Sequence, residues 1–355
     1  MQGETYWDHD HPVLRALRLR SAQGYDSTID DDGNRIGLVV EGGGMRGIVS
    51  AAMLCAIEDA GYSRCFDAIY ASSAGAMNAT YFVCGESWYP MSIYYDDLAS
   101  TTFIDFRRLL RGDSFFDVDF AFACAENKRI WDFEAVAAKK PSLHIAITDV
   151  DNIATVFAEE FDSAGDFRAA LYASCWMPRS RITTTHWRGM RALDGSILTT
   201  HPLRLAVKQD FTHLLSLSTR PLSRTTGANR RTVPQLAVAW HLERFERGLG
   251  TGYLGAVHDY WIERADVARQ RWIPDTALPV LEVAPLPWMP AVKRHETDVA
   301  KLIASARESY GLMHCALHGY PLSHLRDGAV QVVPRLTVVN RDPASAVAPL
   351  PPAES

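Results

Sequence analysis

Three short stretches of this sequence hold residues whose types and spacing could do chemistry together. The first is Gly42-Gly43-Gly44-Met45-Arg46-Gly47. Consecutive glycines let a backbone turn sharply and present its N–H groups, and a following helix adds positive potential at its N-terminus. Such a loop stabilises an anion, either the pyrophosphate of a dinucleotide or the oxyanion of a tetrahedral intermediate. Taken literally it satisfies G-x-G-x-x-G, the dinucleotide pattern, which also asks for an acidic residue about 20 positions on, at the end of the next strand. Asp67 has the spacing but falls at the start of its strand. A tight turn with no ligand fits the loop as well.

The second stretch is Ala71-Ser72-Ser73-Ala74-Gly75, a G-x-S-x-G pattern with alanine in the first place. Small residues at Ala71 and Gly75 let the chain cross itself closely at a sharp turn, which leaves Ser73 presented at a helix N-terminus. There the helix dipole favours a developing alkoxide, and the N–H of Ala74 points toward an oxyanion. The plainer role for Ser73 is helix capping. The third stretch is Asp194-Gly195. Such a pair is ordinarily just a turn, but Asp194 supplies a carboxylate that could take the serine's proton.

The elements that must position these residues can be read from hydrophobic runs and breakers. Ile36–Glu41 (IGLVVE) is a short β-branched run followed by glycines, as expected of a buried parallel strand. A helix from about Met45 to Ala60 follows, then a strand over Phe66–Ala71 and a helix over Ala74–Cys84. Residues 86–135 are aromatic-rich and loop-like with short helical stretches. Leu143–Thr148 and Ala154–Ala158 read as strands that could pair, and Phe167–Ser174 as a helix. Arg188-Gly189 joins Thr183–Trp187 to Met190–Leu193 as a hairpin ending at Asp194. His213–Ser218 is a further buried strand. Residues 222–275 form a mostly helical insertion interrupted by Gly248, Gly250 and Gly252, before a strand at Val280–Val283 and a helix over Thr297–Ala316. Alternating strands and helices predict an α/β fold of three layers, α/β/α, around a mostly parallel sheet.

All three motifs, in this order, resemble those of the patatin-like phospholipases. EGGGMRG is similar to their oxyanion motif, ASSAG to their nucleophile elbow, and LDGS to their D-G-A/G motif. The stretch Ala173-Ser174-Cys175-Trp176-Met177-Pro178 resembles the segment preceding their dyad aspartate. The likeness is close over residues 36–220 and looser to about 320, and within the family it looks nearest the bacterial intracellular type. Two positions depart from the pattern: Ala71 stands for glycine, and Ser196 for glycine or alanine. The resemblance implies a lipid ester hydrolase with a Ser-Asp dyad, Ser73 as nucleophile and Asp194 as its base. The N–H groups of Gly42, Gly43, Gly44 and Ala74 would hold the oxyanion, with Arg46 and Gly47 supporting the loop. It implies a lipid or ester substrate, no cofactor and no metal. A conventional triad would instead recruit a histidine, and His186 and His201 lie nearest Asp194 in sequence. A catalytically silent protein of the same fold and a nucleotide-dependent enzyme built on the glycine loop are the competing readings.

The rest of the chain bounds these readings. Its formal net charge of -6 argues against general nucleic-acid binding. Six cysteines without C-x-x-C spacing argue against a zinc or redox centre. No secretory signal is read at the N-terminus, and no run approaches the roughly 18 apolar residues of a membrane span. A reducing, cytoplasmic setting is expected, with transient contact at a membrane surface allowed. The oligomeric state is not legible. Residues 1–35 read as an extension with one short helix at Pro12–Ala22, and 36–320 as the catalytic domain. Residues 321–355 read as a Pro/Ala-rich tail, disordered from about 342. Arg220, Arg224, Arg230 and Arg231 fall in or beside a polar loop and read as solvated. The aromatic side chains between Tyr81 and Phe122 are either core or the wall of an acyl-chain pocket.

Overall fold

The computed structural model describes residues 6–128, 130–137, 141–178, 182–222, 231–272 and 276–326. In chain order the helices are α1 (Pro12–Ala22), α2 (Gly47–Asp59), α3 (Ala74–Val83), α4 (Trp88–Asp96), α5 (Val118–Lys128), α6 (Phe133–Ala137), α7 (Ala164–Cys175), α8 (Leu203–Ala206), α9 (Val233–Leu242), α10 (Leu249–Gln270), α11 (Val299–His318) and α12 (Ser323–Arg326). The strands are β1 (Ile36–Val40), β2 (Ala68–Ser72), β3 (Ser142–Asp149), β4 (Ala154–Ala158), β5 (Thr185–Trp187), β6 (Met190–Asp194), β7 (His213–Leu217) and β8 (Val280–Val283). They form one sheet ordered β5-β6-β3-β2-β1-β7-β8, with β4 also on β3. The centre, from β3 to β8, is parallel, and β4, β5 and β6 are antiparallel.

Alternate side chains of β1 explain the layers. Ile36, Leu38 and Val40 join a large apolar cluster with residues of α2, α3 and α11, while Val39 points the other way, into a cluster with Leu203, Ala206, Phe211 and Val267. All five residues of β1 are buried, as a strand covered on both faces requires. The mostly parallel sheet flanked by helices is the α/β architecture expected from the alternation of elements.

Several boundaries move. The helix expected from Met45 starts at Gly47, because Gly44–Arg46 forms a single 3-10 turn. The insertion divides into α9 and α10, broken ahead of Gly248, whose φ of +96° suits glycine. Gly250 and Gly252 lie inside α10 rather than interrupting it. A side chain at Gly250 would collide with the carbonyl of Ala239, so the glycine lets the two helices touch. Residues 223–230, with Arg224 and Arg230, and the tail from 327 lie outside the described residues.

The segment before β1 carries its helix over Pro12–Ala22 and packs into the core. α1 buries Val13, Leu14 and Leu17, and it starts with Pro12 behind His11, whose Nδ1 accepts from Val13 N. Arg20 is fully buried, donating to Asp32 and to Asp67 Oδ2 at 2.8 Å. The same Asp67 oxygen accepts the N–H of Ile36 at 2.7 Å, so one carboxylate fixes the starts of β1 and β2. Removing one partner of a buried pair leaves the other charge unpaired. Arg20→Met is expected to destabilise the fold by about 3–5 kcal/mol, read as a lowered denaturation midpoint at constant m value.

Candidate active site

The register of the sheet brings the three motifs together. β2 pairs with β3 as far as Ser72 opposite Ala146. β4 occupies the other edge of β3 from Ile145 to Asp149, so β6 joins on the edge that β2 has just left, with Asp194 opposite Ile147. Ser73 and Asp194 therefore leave neighbouring positions. The Ser73 hydroxyl donates to Asp194 Oδ2 at 2.8 Å, with both residues buried. Ser73 stands at the N-cap of α3, but its side chain caps nothing. The capping role is thus set aside by the geometry.

Ser73 has φ +53° and ψ −133°, a conformation a non-glycine residue rarely adopts. Strain of this kind costs about 1–3 kcal/mol and persists only where the surroundings impose it. They do so here by close packing. A Cβ on Gly75 would stand 2.6 Å from the carbonyl oxygen of Val40, and one on Gly42 would stand 2.5 Å from that of Ser72. The glycine loop and the elbow are thus pressed backbone to backbone. Ala71, in the place of the pattern's first glycine, is buried within β2 and its methyl is accommodated.

Ser174 is a part of the site that sequence reasoning quoted without assigning a task. Its hydroxyl accepts the N–H of Ser73 at 2.9 Å and donates to the carbonyl of Ala146 at 2.7 Å, tying the elbow to β3. Nothing in the spacing marks it, since the two bonds span 101 and 28 residues. Asp194 is braced likewise: its Oδ1 accepts the N–H of Ser196 at 2.7 Å, and its carbonyl accepts from Thr148 Oγ1. Burial raises the Asp194 pKa above the ordinary carboxylate range, with the bonds from Ser196 and Ser73 acting against that rise.

The glycine loop lies over the same point. Gly44 and Ala74 line a cavity with Ser73, whereas Gly42 sits beneath the elbow, and Gly43 has φ +131°. Arg294 anchors the loop from outside by accepting the N–H of Met45 at 3.0 Å. Arg46 reaches back, its Nη2 lying 2.7 Å from where a Gly43 side chain would begin, and it is not on the cavity wall. Burial lowers its pKa to about 10, with Arg220 adding to the effect. Gly47 leaves room for the Tyr94 hydroxyl. The cavity measures about 710 Å³ counted out to its open mouth, and Ile93, Leu98, Phe103, Phe116 and Phe122 give it an apolar wall. Within the aromatic stretch, Tyr81 and Phe82 are core, while Phe103, Phe116 and Phe122 are core and cavity wall at once.

Other candidates fall elsewhere. Asp67 sits at the opposite end of the sheet from the glycine loop and is engaged by Arg20 and Ile36, which leaves the dinucleotide pattern without its acidic residue. His186 is exposed on β5. His201 is buried with Nε2 2.8 Å from Ser216 Oγ, and burial lowers its pKa. Arg220 is only partly exposed: it lies over the Tyr260 ring and 3.7 Å from Glu41. Burial opposes the charge on Glu41, but Arg220, His201, Arg46 and Arg264 outweigh it and hold the carboxyl below its usual range. Among the described residues no group of His, Cys, Asp and Glu is placed to hold a metal, and no helix is long and apolar enough to cross a membrane.

Known proteins resemble parts of this chain. Over 296 residues, 78% of this chain and 74% of its relative, the sequence is 25% identical to the uncharacterized protein YjjU of Escherichia coli (strain K12). Two solved structures overlay at a TM-score of 0.42. VipD from Legionella pneumophila, 11% identical, is matched over 82% of this chain and 67% of its own. Human GIVD cytosolic phospholipase A2, solved with a methyl γ-linolenyl fluorophosphonate inhibitor, is 12% identical and matched over 89% of this chain and 62% of its own. Residues 38–207 match the family model of the patatin-like phospholipases, a span that takes in the glycine loop, the serine and the aspartate. Over that span, a little under half of the chain, the protein is similar to the patatin-like phospholipases.

Proposed function

We propose that the protein is a serine acyl hydrolase that cleaves carboxylic esters of lipids through a Ser73–Asp194 dyad. The observation that carries this reading is the direct 2.8 Å bond from the Ser73 hydroxyl to a buried carboxylate, beside an apolar cavity. Asp194 takes the hydroxyl proton as Ser73 attacks the ester carbonyl. The N–H groups of Gly43, Gly44 and Ala74 receive the oxyanion, and removing one such donor typically costs about 100- to 1,000-fold in rate. Asp194 then returns the proton to the leaving alcohol and activates the water that releases the fatty acid. A carboxylate is a weak base in water. Burial strengthens it, because desolvation penalises its charged form. The acyl chain lies against Ile93, Leu98, Phe103 and Phe122. Cofactor and metal have no part in this scheme. Contact with a membrane surface would be transient, during substrate capture.

Labelling with a fluorophosphonate tests the nucleophile. Wild type should label and Ser73→Ala should not, with ester turnover down at least about 1,000-fold in Ser73→Ala. His201→Ala, if folded, should keep labelling; its loss would point to a triad and sink the dyad. A folded wild-type sample that never labels would instead mark a silent protein.

Burial makes two opposite demands on Asp194. Its folded-state pKa is raised, so its contribution to stability is fully present below the unfolded value, about 3.9, and is lost as pH rises through the folded value. Asp194→Asn should therefore raise the melting temperature at neutral pH while abolishing turnover. The acid limb of kcat/KM should fall above the ordinary aspartate range, since protonation there removes the base. A limb near pH 3.9 with an unchanged melting temperature would count against both demands. For the acyl wall, Phe122→Ala should shift preference toward longer chains by several-fold. An unchanged preference in a folded variant would place the chain elsewhere.

A further inference from the structure

Past the end of β1 the glycine loop has a neighbour on each flank. β2 lies on one edge of β1 and β7 on the other, so the elbow with Ser73 falls on one side of the loop and the residues after β7 fall on the opposite side. Thr219 stands on that second side, two residues beyond β7, and is buried. Its hydroxyl donates to the carbonyl of Gly42 at 2.9 Å. Its own N–H donates to Glu41 Oε2 at 2.6 Å, and Glu41 is buried as well. From α10, the Tyr260 hydroxyl gives a longer bond of 3.4 Å to the other oxygen of that carboxylate. Two side chains thus close a clasp: Glu41 seats Thr219, and Thr219 seats the peptide that joins Gly42 to Gly43. Neither residue lines the cavity beside Ser73.

A trans peptide is planar, and its C=O and N–H point in opposite directions. Holding the Gly42 carbonyl toward Thr219 therefore aims the Gly43 N–H the other way, toward the flank that carries Ser73. Among the described residues no backbone carbonyl accepts that N–H. A run of glycines needs such a hold, because without side chains a peptide can turn over at little cost. Gly43, at φ +131°, already uses that freedom. A peptide turned over would present an oxygen where an amide hydrogen is needed. We infer that Thr219 is a positioning residue for the reaction: its hydroxyl locks the Gly42–Gly43 peptide in the orientation that offers N–H, and not C=O, to the oxyanion formed at Ser73. The inference rests on the hydrolase reading above and deepens it by assigning the residue that sets the polarity of the oxyanion site. Thr219 lies off the cavity wall, so it acts on the transition state through Gly43 and leaves binding of the acyl chain alone.

The test measures turnover of p-nitrophenyl butyrate and the rate of fluorophosphonate labelling of Ser73. Thr219→Val keeps the size of the side chain and both backbone groups and removes the bond to Gly42. Its kcat should fall about 10- to 100-fold, the cost of misplacing one part of a preorganised site, with KM within about twofold of wild type. Labelling should slow by a similar factor, since attack on phosphorus also builds charge on an oxygen at the same N–H groups. Thr219→Ser keeps the hydroxyl and should recover most of both rates. A hydroxyl that merely satisfies a buried carbonyl would lower the melting temperature of Thr219→Val and leave kcat of the folded protein unchanged. That outcome overturns the inference, as does a loss carried by KM alone or one that Thr219→Ser fails to recover. Should Thr219→Val not fold, Thr219→Ala is compared with Thr219→Ser by the same readouts. The two readings fail separately. A wild type that labels and turns over, matched by Thr219→Val, sinks the role of Thr219 and leaves the hydrolase standing. A folded wild type that neither labels nor hydrolyses the ester sinks the hydrolase reading, and this inference with it.

Discussion

The hydrogen bond between Ser73 and Asp194 depends on how three strands share β3. β2 gives up its edge of β3 at Ser72, and β6 takes up that edge at the next rung. Were β6 to slip by one residue, the side chain of Asp194 would turn to the other face of the sheet, because strand side chains alternate. Register is therefore the constraint on which the site rests. It is held by the buried apolar residues of β6 and by Thr148, which grips the Asp194 carbonyl from β3.

Around that bond the molecule spends stability to gain placement. Ser73 keeps an unfavourable backbone conformation, Asp194 keeps a desolvated carboxylate, and Arg294 a buried Nε without a hydrogen-bond partner among the described residues. Each is tolerable because rigid neighbours surround it: Gly42 and Gly75 in backbone contact, Ser174 across the elbow, Met45 tied to Arg294. Farther out, Glu282 gathers Ser218, Arg264 and Arg271, joining α10 to β7 and β8. The helical insertion is in this way wired to β7 and β8, and β7 pairs with β1, whose end carries the glycine loop.

Local signals were legible in the sequence because their physics is local. Glycines at 42–44 and 75, the serine after a strand, and Asp-Gly after a hairpin each state a backbone geometry within a few residues, and most elements followed from hydrophobic runs. Contacts between distant residues were not. Arg20 looks like any basic helix residue until Asp67 stands beside it. Arg220 looks like a free loop residue until Tyr260 and Glu41 meet it. Ser174 and Arg294 take their places from tertiary contacts alone, and no spacing rule reaches them. The start of α2 shifted for a simpler reason: positive φ at Gly43 and Gly44 delays regular helix by one turn.

The two side chains of the central bond are 121 residues apart. Domains fold largely from the N-terminal end during synthesis, at about 5–20 residues per second. The serine thus leaves the ribosome on the order of ten seconds before the carboxylate, and Arg294 follows later still. β1, β2 and the glycine loop can meet early, but a nascent chain that has reached only β4 presents an elbow with nothing to deprotonate it. On the proposed reading, the pairing of Ser73 with its carboxylate waits until the antiparallel edge has closed.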